Sequence, residues 1–250
     1  MQMLIYSIVA VNSDSEKLGK LLSTLQGFGA RKLSAITFGD ISAIVSETEK
    51  NELTATQTNA LLFAGIIEKL EQSFTLLPMQ FGSFLDSEET ISQMLKKNYS
   101  EFRENLQKLE NKNEFGLKIF CDLEKLKDEL RTKSENENEI STNDDIQNSI
   151  FKEYVNRKLK EHRLEESLLK YIESIVSEFD GFLSRAKAPK KIRKRTAATI
   201  IVDAVFLLDK NKKDELIGEV ENLQRKYPNQ NFILTGPWPP YNFVDITIKQ

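Results

Sequence analysis

The amino-acid sequence predicts an α+β fold of two domains, with mostly antiparallel sheets, packed helices and a ferredoxin-like C-terminal part. Three observations carry that prediction. Met3–Val11 (MLIYSIVAV) and Ala197–Leu208 (AATIIVDAVFLL) are nearly continuous apolar runs, rich in β-branched residues and of strand length. Each is followed by a segment with apolar residues at helical spacing. Between them, Ser134–Asp145 has no apolar side chain except Ile140 and carries five acids, the composition of a solvated linker. The expected organisation is an N-terminal α+β domain over 1–133, an acidic linker over 134–148, and a long helix plus the ferredoxin-like α+β domain over 149–250.

In the first half, Met3–Val11 reads as a buried strand. Leu18, Leu21, Leu22 and Leu25 then predict a helix that Ser15 would cap and that Gly27 and Gly29 would stop. Lys32–Phe38 and Ile41–Ser46 are short strand-like runs around Gly39-Asp40, a hairpin signal. Thr54 with Gln57 resembles a capping box, ahead of a helix whose apolar face holds Leu62, Phe63, Ile66, Ile67 and Leu70. Phe74–Leu85 is apolar but irregular. Ser87 opens the next helix, with Glu88 and Glu89 favourably placed at its N-terminal dipole and a face running from Ile91 to Leu109. Phe115–Cys121 alternates in part and reads as another strand.

In the second half, a long helix is expected from about Ser149 to Phe179, ended or bent by Asp180-Gly181. Its apolar stripe is interrupted around His162, so a sustained coiled coil is not predicted. The strand Ala197–Leu208 is followed by a helix over Lys213–Lys226, with Leu216, Val220 and Leu223 on one face. Asn231–Thr235 and Phe243–Ile248 supply two further strands, and no tandem repeat is evident.

The catalytic templates fail. There is no Gly-rich phosphate loop, no GxSxG elbow and no HExxH motif. The one histidine, His162, lies in the charged helical stretch KEHRLEE, where solvation is expected. The one cysteine, Cys121, excludes an intramolecular disulfide and reads as an inert buried residue. A zinc site of His and Cys ligands is not expected either, nor any metal or cofactor. The reading is a protein that is not an enzyme and has no catalytic residues. No window of about 18 apolar residues exists, so no membrane span is expected and the default is a soluble, cytoplasmic protein.

A net charge of −3 argues against a polycation, but the charge is uneven. Arg185–Arg195 (RAKAPKKIRKR) has seven basic residues in eleven and no acid. Such a run can neutralise phosphates, and a nucleic-acid-binding regulator is the alternative reading of the chain. It lacks interleaved aromatics for stacking on bases, which favours docking against an acidic protein segment instead.

Two stretches stand out for combining proline, glycine and aromatic residues where loops are ordinarily polar. One is Leu76–Gly82, with Pro78, Phe81 and Gly82. The other is Gly236–Phe243, with Gly236, Pro237, Trp238, Pro239, Pro240, Tyr241 and Phe243. These ten are the candidate partner-binding residues. Three prolines fix φ and remove backbone donors, so the second stretch cannot be the middle of a strand. A rigid aromatic loop loses little entropy on binding, and Trp and Tyr are common interface anchors. A cis bond is expected at Trp238-Pro239, an aromatic–proline pair.

The same stretches resemble the signatures of the gas vesicle protein F/L family. Leu77–Gly82 is similar to that family's Leu-Pro-x-Arg-Phe-Gly block, with Gln80 where arginine is usual, so no ionic role is carried onto that position. Gly236–Phe243 matches its Gly-Pro-Trp-Pro-Pro-Tyr-x-Phe block without a gap. Gly116–Cys121 and Asp203–Leu208 resemble two of its strands. The resemblance implies two α+β domains, the second ferredoxin-like, and an accessory or assembly role in making gas-filled protein shells. The partners it implies are the small hydrophobic shell subunit and other gas vesicle accessory proteins, with the chain gas vesicle associated.

Overall fold

Residues 2–11, 14–49, 53–138, 150–193, 199–244 and 246 are described by a computed structural model. The chain divides into two compact units. The first comprises Met1–Phe115, Leu207–Lys210 and Gly236–Gln250, and the second Gly116–Phe206 and Asn211–Thr235. This division differs from the expected one, because the chain returns to the first unit twice.

The first unit begins with β1 (Gln2–Ala10), α1 (Ser15–Ser23), the hairpin β2 (Ser34–Phe38) and β3 (Ile41–Thr48), α2 (Gln57–Glu71) and β4 (Leu76–Pro78). Then come β5 (Phe84–Leu85), α3 (Glu88–Lys97) and α4 (Tyr99–Leu109). The antiparallel sheet has the order β2-β3-β1-β4, with β5 also on β1. β1 is buried at every position from Met3 to Val9 because the sheet has helices on both faces. Leu4, Tyr6 and Val9 pack with Leu22 of α1 and Phe63, Ile67 and Leu70 of α2. Met3, Ile5 and Ile8 pack with Ile91 and Leu95 of α3 and Phe102 and Leu106 of α4. Each such side chain contributes roughly 1.5–3 kcal/mol on leaving water.

Local chemistry sets the boundaries. Phe38 pairs directly with Ile41, so Gly39-Asp40 is a two-residue turn, and Gly39 takes a φ of 60° that favours glycine. Ser15 is not a cap: Asp14 holds that place, without a side-chain hydrogen bond. Nor does Thr54 cap α2. Thr56 does, accepting from the Asn59 amide at 3.2 Å, while the Asn59 side chain donates to the Thr54 carbonyl at 2.9 Å. Leu62 is not part of the buried face, being 39% exposed. Ser87 caps α3 as expected, accepting from Thr90 N at 3.2 Å. The face from Ile91 to Leu109 is buried, but on two helices. Asn98 breaks them, its side-chain amide donating to the Met94 carbonyl at 2.9 Å in competition with the backbone.

The second course is β6 (Lys112–Cys121), α5 (Leu123–Asn138), α6 (Ile150–Arg185), β7 (Lys190–Ile192), β8 (Ile200–Asp209), α7 (Lys213–Lys226) and β9 (Gln230–Trp238). The sheet order is β7-β8-β6-β9. From Gly116 to Cys121 burial alternates, with Leu117, Ile119 and Cys121 buried. Phe206 of β8 meets Phe179 of α6 edge-on at 5.5 Å. Leu216, Val220 and Leu223 form the buried face of α7, as expected.

Three expectations change in this region, and part of the basic run takes a regular structure. α5 was not foreseen, and it makes 134–138 helical rather than linker; 139–149 lie outside the described residues. α6 passes through Asp180-Gly181 because Phe182 and Leu183, directly after them, are buried, and tertiary burial outweighs the preference of a glycine. Lys190–Ile192 of the basic run is a strand on β8, while 194–195 lie outside the described residues. Phe243, Val244 and Ile246 form no strand but pack on the first unit's core, with 245, 247 and 248 outside the described residues.

Candidate functional site

The C-terminal end of β9 and the turn after it belong to the first unit. Gly236 has a φ of 110°, and a Cβ there would lie 2.7 Å from the Glu114 carbonyl oxygen, so this close approach requires glycine. The cis bond precedes Pro237, at Gly236–Pro237, and is not the expected Trp238-Pro239. β9 also runs further than expected, taking in Gly236, Pro237 and Trp238 as its last residues. Pro237 is tolerated there because it ends an edge strand.

Beyond Trp238 the chain is anchored at several points. Pro239 and Pro240 are buried. Tyr241 N donates to the Pro239 carbonyl at 2.8 Å, and Phe243 N to that of Pro240 at 3.1 Å. The buried Glu114 carboxylate accepts from Asn242 N at 2.8 Å and from the Asn242 side-chain amide. Charge-assisted bonds of this kind are the stronger ones, and they also satisfy an otherwise costly buried charge. Phe243 packs on the core around Ile5 and Ile8. Between these anchors Trp238 stays 44% exposed and Tyr241 43% exposed. Burial of its phenol, with the carboxylates of Glu68 and Glu114 nearby, pushes the Tyr241 pKa up to about 12, so its hydroxyl is neutral at ordinary pH.

The other stretch is interior. Pro78 is buried in β4, and Met79 N donates to the Tyr6 carbonyl at 2.9 Å. Phe81 is half-buried and meets Phe63 edge-on at 5.5 Å and Phe28 at 6.0 Å. Tyr6 stacks on Phe63 at 5.0 Å, which completes an aromatic cluster. Gly82, with a φ of 86°, is exposed in a turn closed by Ser83 N on the Gln80 carbonyl at 3.1 Å. Phe81 and Phe243 belong to two different core clusters, and the two stretches do not merge into one set of free side chains.

Sequence reasoning missed Glu114, whose only signal is a carboxylate just ahead of the strand-like run Phe115–Cys121. It also missed Asp40, which accepts from Tyr99 Oη at 2.7 Å and from Arg103 Nη1 beside a polar cleft of about 410 Å³. His162 is exposed, and burial pushes the Cys121 thiol up, which keeps it unreactive. Among the described residues no group of three or more His, Cys, Asp or Glu is placed to hold a metal, and no helix is long and apolar enough to cross a membrane.

The chain is thus two α+β units with an anchored turn on which Trp238 and Tyr241 are partly exposed. Residues 2–245 match the family model described as Gas vesicle synthesis protein GvpL/GvpF, and the chain belongs to that family. Gas vesicle protein F1 of Halobacterium salinarum is 23% identical over 224 residues, which cover 88% of this chain and 84% of the relative. Gas vesicle protein F of Nostoc sp. is 24% identical, covering 90% of this chain and 92% of the relative. The crystal structure of the gas vesicle protein GvpF from Anabaena sp. superimposes with a TM-score of 0.73 at 22% identity, over 98% of this chain and 97% of that one. GvpF from Microcystis aeruginosa gives 0.72 at 19% identity, over 98% and 99% of the two chains. These likenesses establish the α+β fold with antiparallel sheets, and the family carries a role in gas vesicle formation.

Proposed function

We propose that this chain is an assembly accessory protein of the gas vesicle, not an enzyme, and that it binds the small hydrophobic shell subunit through the Trp238–Tyr241 turn. The observation that carries this is the pairing of exposure with anchorage. Two aromatic side chains, Trp238 and Tyr241, are partly exposed on a segment fixed by Pro239, Pro240, the Glu114–Asn242 bonds and Phe243, the Tyr241 hydroxyl being the more buried end of its ring. Such a surface loses little freedom on binding, and Trp and Tyr bury large apolar area. A shell subunit with one water-repelling face is prone to aggregate before incorporation, and a preformed apolar surface would shield it. In this reading Pro78, Phe81 and Gly82 support the first unit, Gly236, Pro237 and Phe243 fix the turn, and Trp238 and Tyr241 make the contact.

The working site is the cytoplasm and the growing vesicle, and other gas vesicle accessory proteins are the second class of partner. We also read the second unit as ferredoxin-like, a reading supported by its β-α-β-β-α-β course and the order β7-β8-β6-β9. The test is co-expression with the shell subunit and affinity capture of this chain, comparing wild type with Trp238→Ala and Tyr241→Ala, each checked for folding by circular dichroism. Capture by wild type and its loss in folded variants is the expected result. Undiminished capture by both variants, or none by wild type, would sink the proposal.

A further inference from the structure

β2 is the edge strand of the first unit's sheet, paired only with β3. The two-residue turn at Gly39-Asp40 makes Phe38 and Ile41 a hydrogen-bonded pair, and bonded and non-bonded pairs alternate from there. Ser34, Ile36 and Phe38 therefore exchange backbone bonds with β3. The N–H and C=O groups of Ala35 and Thr37 point the other way, to the open edge, and both residues are exposed. Such an edge is a template for another strand, and proteins usually blunt it with charge, proline or a bulge. Ser34–Phe38 (SAITF) has no charge and no proline, and its register with β3 is unbroken.

Ala35 and Thr37 also line a groove of about 320 Å³ beside α1, with Leu18, Gly19 and Leu22 of that helix and Leu33 ahead of β2. Leu18, Leu22 and Leu33 are buried core residues, so the floor is apolar. The volume is roughly twice the ~150 Å³ cavity that accepts a benzene, room for two aliphatic side chains. A bridge between Gln26 and Lys32 ties the approach to β2 to the chain leaving α1, and the edge is open beyond it. Exposed Lys32 stands at that end of the groove. A strand added along β2 would set residues i and i+2 opposite Ala35 and Thr37, their side chains on the groove side. The β2 of a second copy would bring only Ala35 and Thr37 again, too small to fill the space. The lining has a single cation and no aromatic ring, which offers little to a nucleic acid.

We propose that the β2 edge binds an extended peptide segment of another protein by strand addition. The backbone of that segment pairs with Ala35 and Thr37, two aliphatic side chains at alternate positions enter the groove beside α1, and a carboxylate meets Lys32. Main-chain bonds supply the affinity and the groove the selectivity. The proposal stands independently of shell-subunit binding at Trp238 and Tyr241.

Fluorescence anisotropy with the full chain tests it. The probes are labelled eight-residue peptides with Val or Leu at two alternate central positions, Ser and Thr elsewhere, and Glu at both ends. Saturable binding with a Kd below about 1 mM is expected. Replacing both aliphatic residues of the peptide with Ser should weaken binding about tenfold or more. Replacing its Glu residues with Lys should weaken it about threefold. Ala35→Pro removes an N–H that points to the open edge, so the fold should persist while binding falls about tenfold or more. Gly19→Leu fills the groove from a helix position with open space around its Cβ, and should raise thermal stability while weakening binding. Circular dichroism checks the folding of both variants. No binding of any peptide, or binding that both folded variants leave unchanged, would overturn the proposal. So would a wild type that binds no peptide but self-associates in sedimentation velocity, with Ala35→Pro abolishing this, which would give the edge to a second copy.

Discussion

β1 and β6 hold the same place in their sheets, third in the orders β2-β3-β1-β4 and β7-β8-β6-β9, yet they are buried in different ways. Both sheets arise from a β-α-β-β-α-β course, with the α5–α6 pair standing in the second where α1 stands in the first. β1 is buried at every position from Met3 to Val9, whereas Gly116–Cys121 of β6 alternates. The difference comes from α3 and α4, which follow the first course and cover a second face of its sheet. Strand order fixes neighbours within a sheet. How many faces are dry is decided by what the chain adds afterwards, and that in turn decides which substitutions each strand tolerates.

The largest expected effect contrasts those two strands. Ile8→Ala, at a fully buried position of β1, should cost about 2–5 kcal/mol. Phe120→Ala, half-buried on β6, should cost less than half as much despite removing a larger side chain. Calorimetric unfolding of both variants measures this, and equal costs would erase the distinction between one covered face and two. A smaller contrast concerns two glycines. Gly236→Ala sets a Cβ against the Glu114 backbone at a positive φ and should destabilise by more than about 1 kcal/mol. Gly116→Ala meets the Thr235 Oγ1 at 2.7 Å, a side-chain atom that can rotate away, so it should cost less. The reverse ranking would mean that the turn after β9 is not fixed by that close approach.

The sequence made β1 legible because an uninterrupted apolar run has few alternatives, and α3 because Ser87 with its acids is a local signal. α5 was not legible: Leu126 is buried, but the many charges around it hide the period. Gly181 misled because the burial of Phe182 and Leu183, a tertiary effect, carries α6 past it. The shared strand order was hidden for another reason. β4 and β7 are three residues each and carry no pattern of their own. At the site, composition picked out the aromatic-proline turn, but exposure separated its members. Trp238 and Phe81 look alike in sequence, and only the fold puts Phe81 into a core cluster. Glu114 was invisible because its partner Asn242 is 128 residues away.

Helix caps sharpen the comparison at about 1 kcal/mol. Thr56→Ala removes the acceptor of the Asn59 amide at the start of α2 and should cost about that much. Lys212, at the equivalent place on α7, makes no side-chain cap bond, so Lys212→Ala should stay within about 0.5 kcal/mol of wild type. A comparable loss at Lys212 would show that α7 depends on that side chain in some other way.

The smallest effect is confined to alkaline solution and contrasts a tyrosine of each unit. Burial raises Tyr171 of the second unit, although Gln230, donating to its hydroxyl, works the other way. Tyr241 of the first unit is raised further, to about 12 from an ordinary 10.0, by burial and then by Glu68 and Glu114. A raised phenol favours its neutral form in the folded state. Its contribution to stability is therefore complete below pH 10 and disappears as pH climbs from about 10 towards 12. Tyr241→Phe cannot ionise, so it should remove a late-titrating tyrosine from the tyrosinate absorbance curve and soften the alkaline loss of stability, with no change at neutral pH. A wild-type curve in which every tyrosine ionises near 10 would show instead that the Tyr241 hydroxyl is open to water. The turn would then be looser than its proline and Glu114 anchors require.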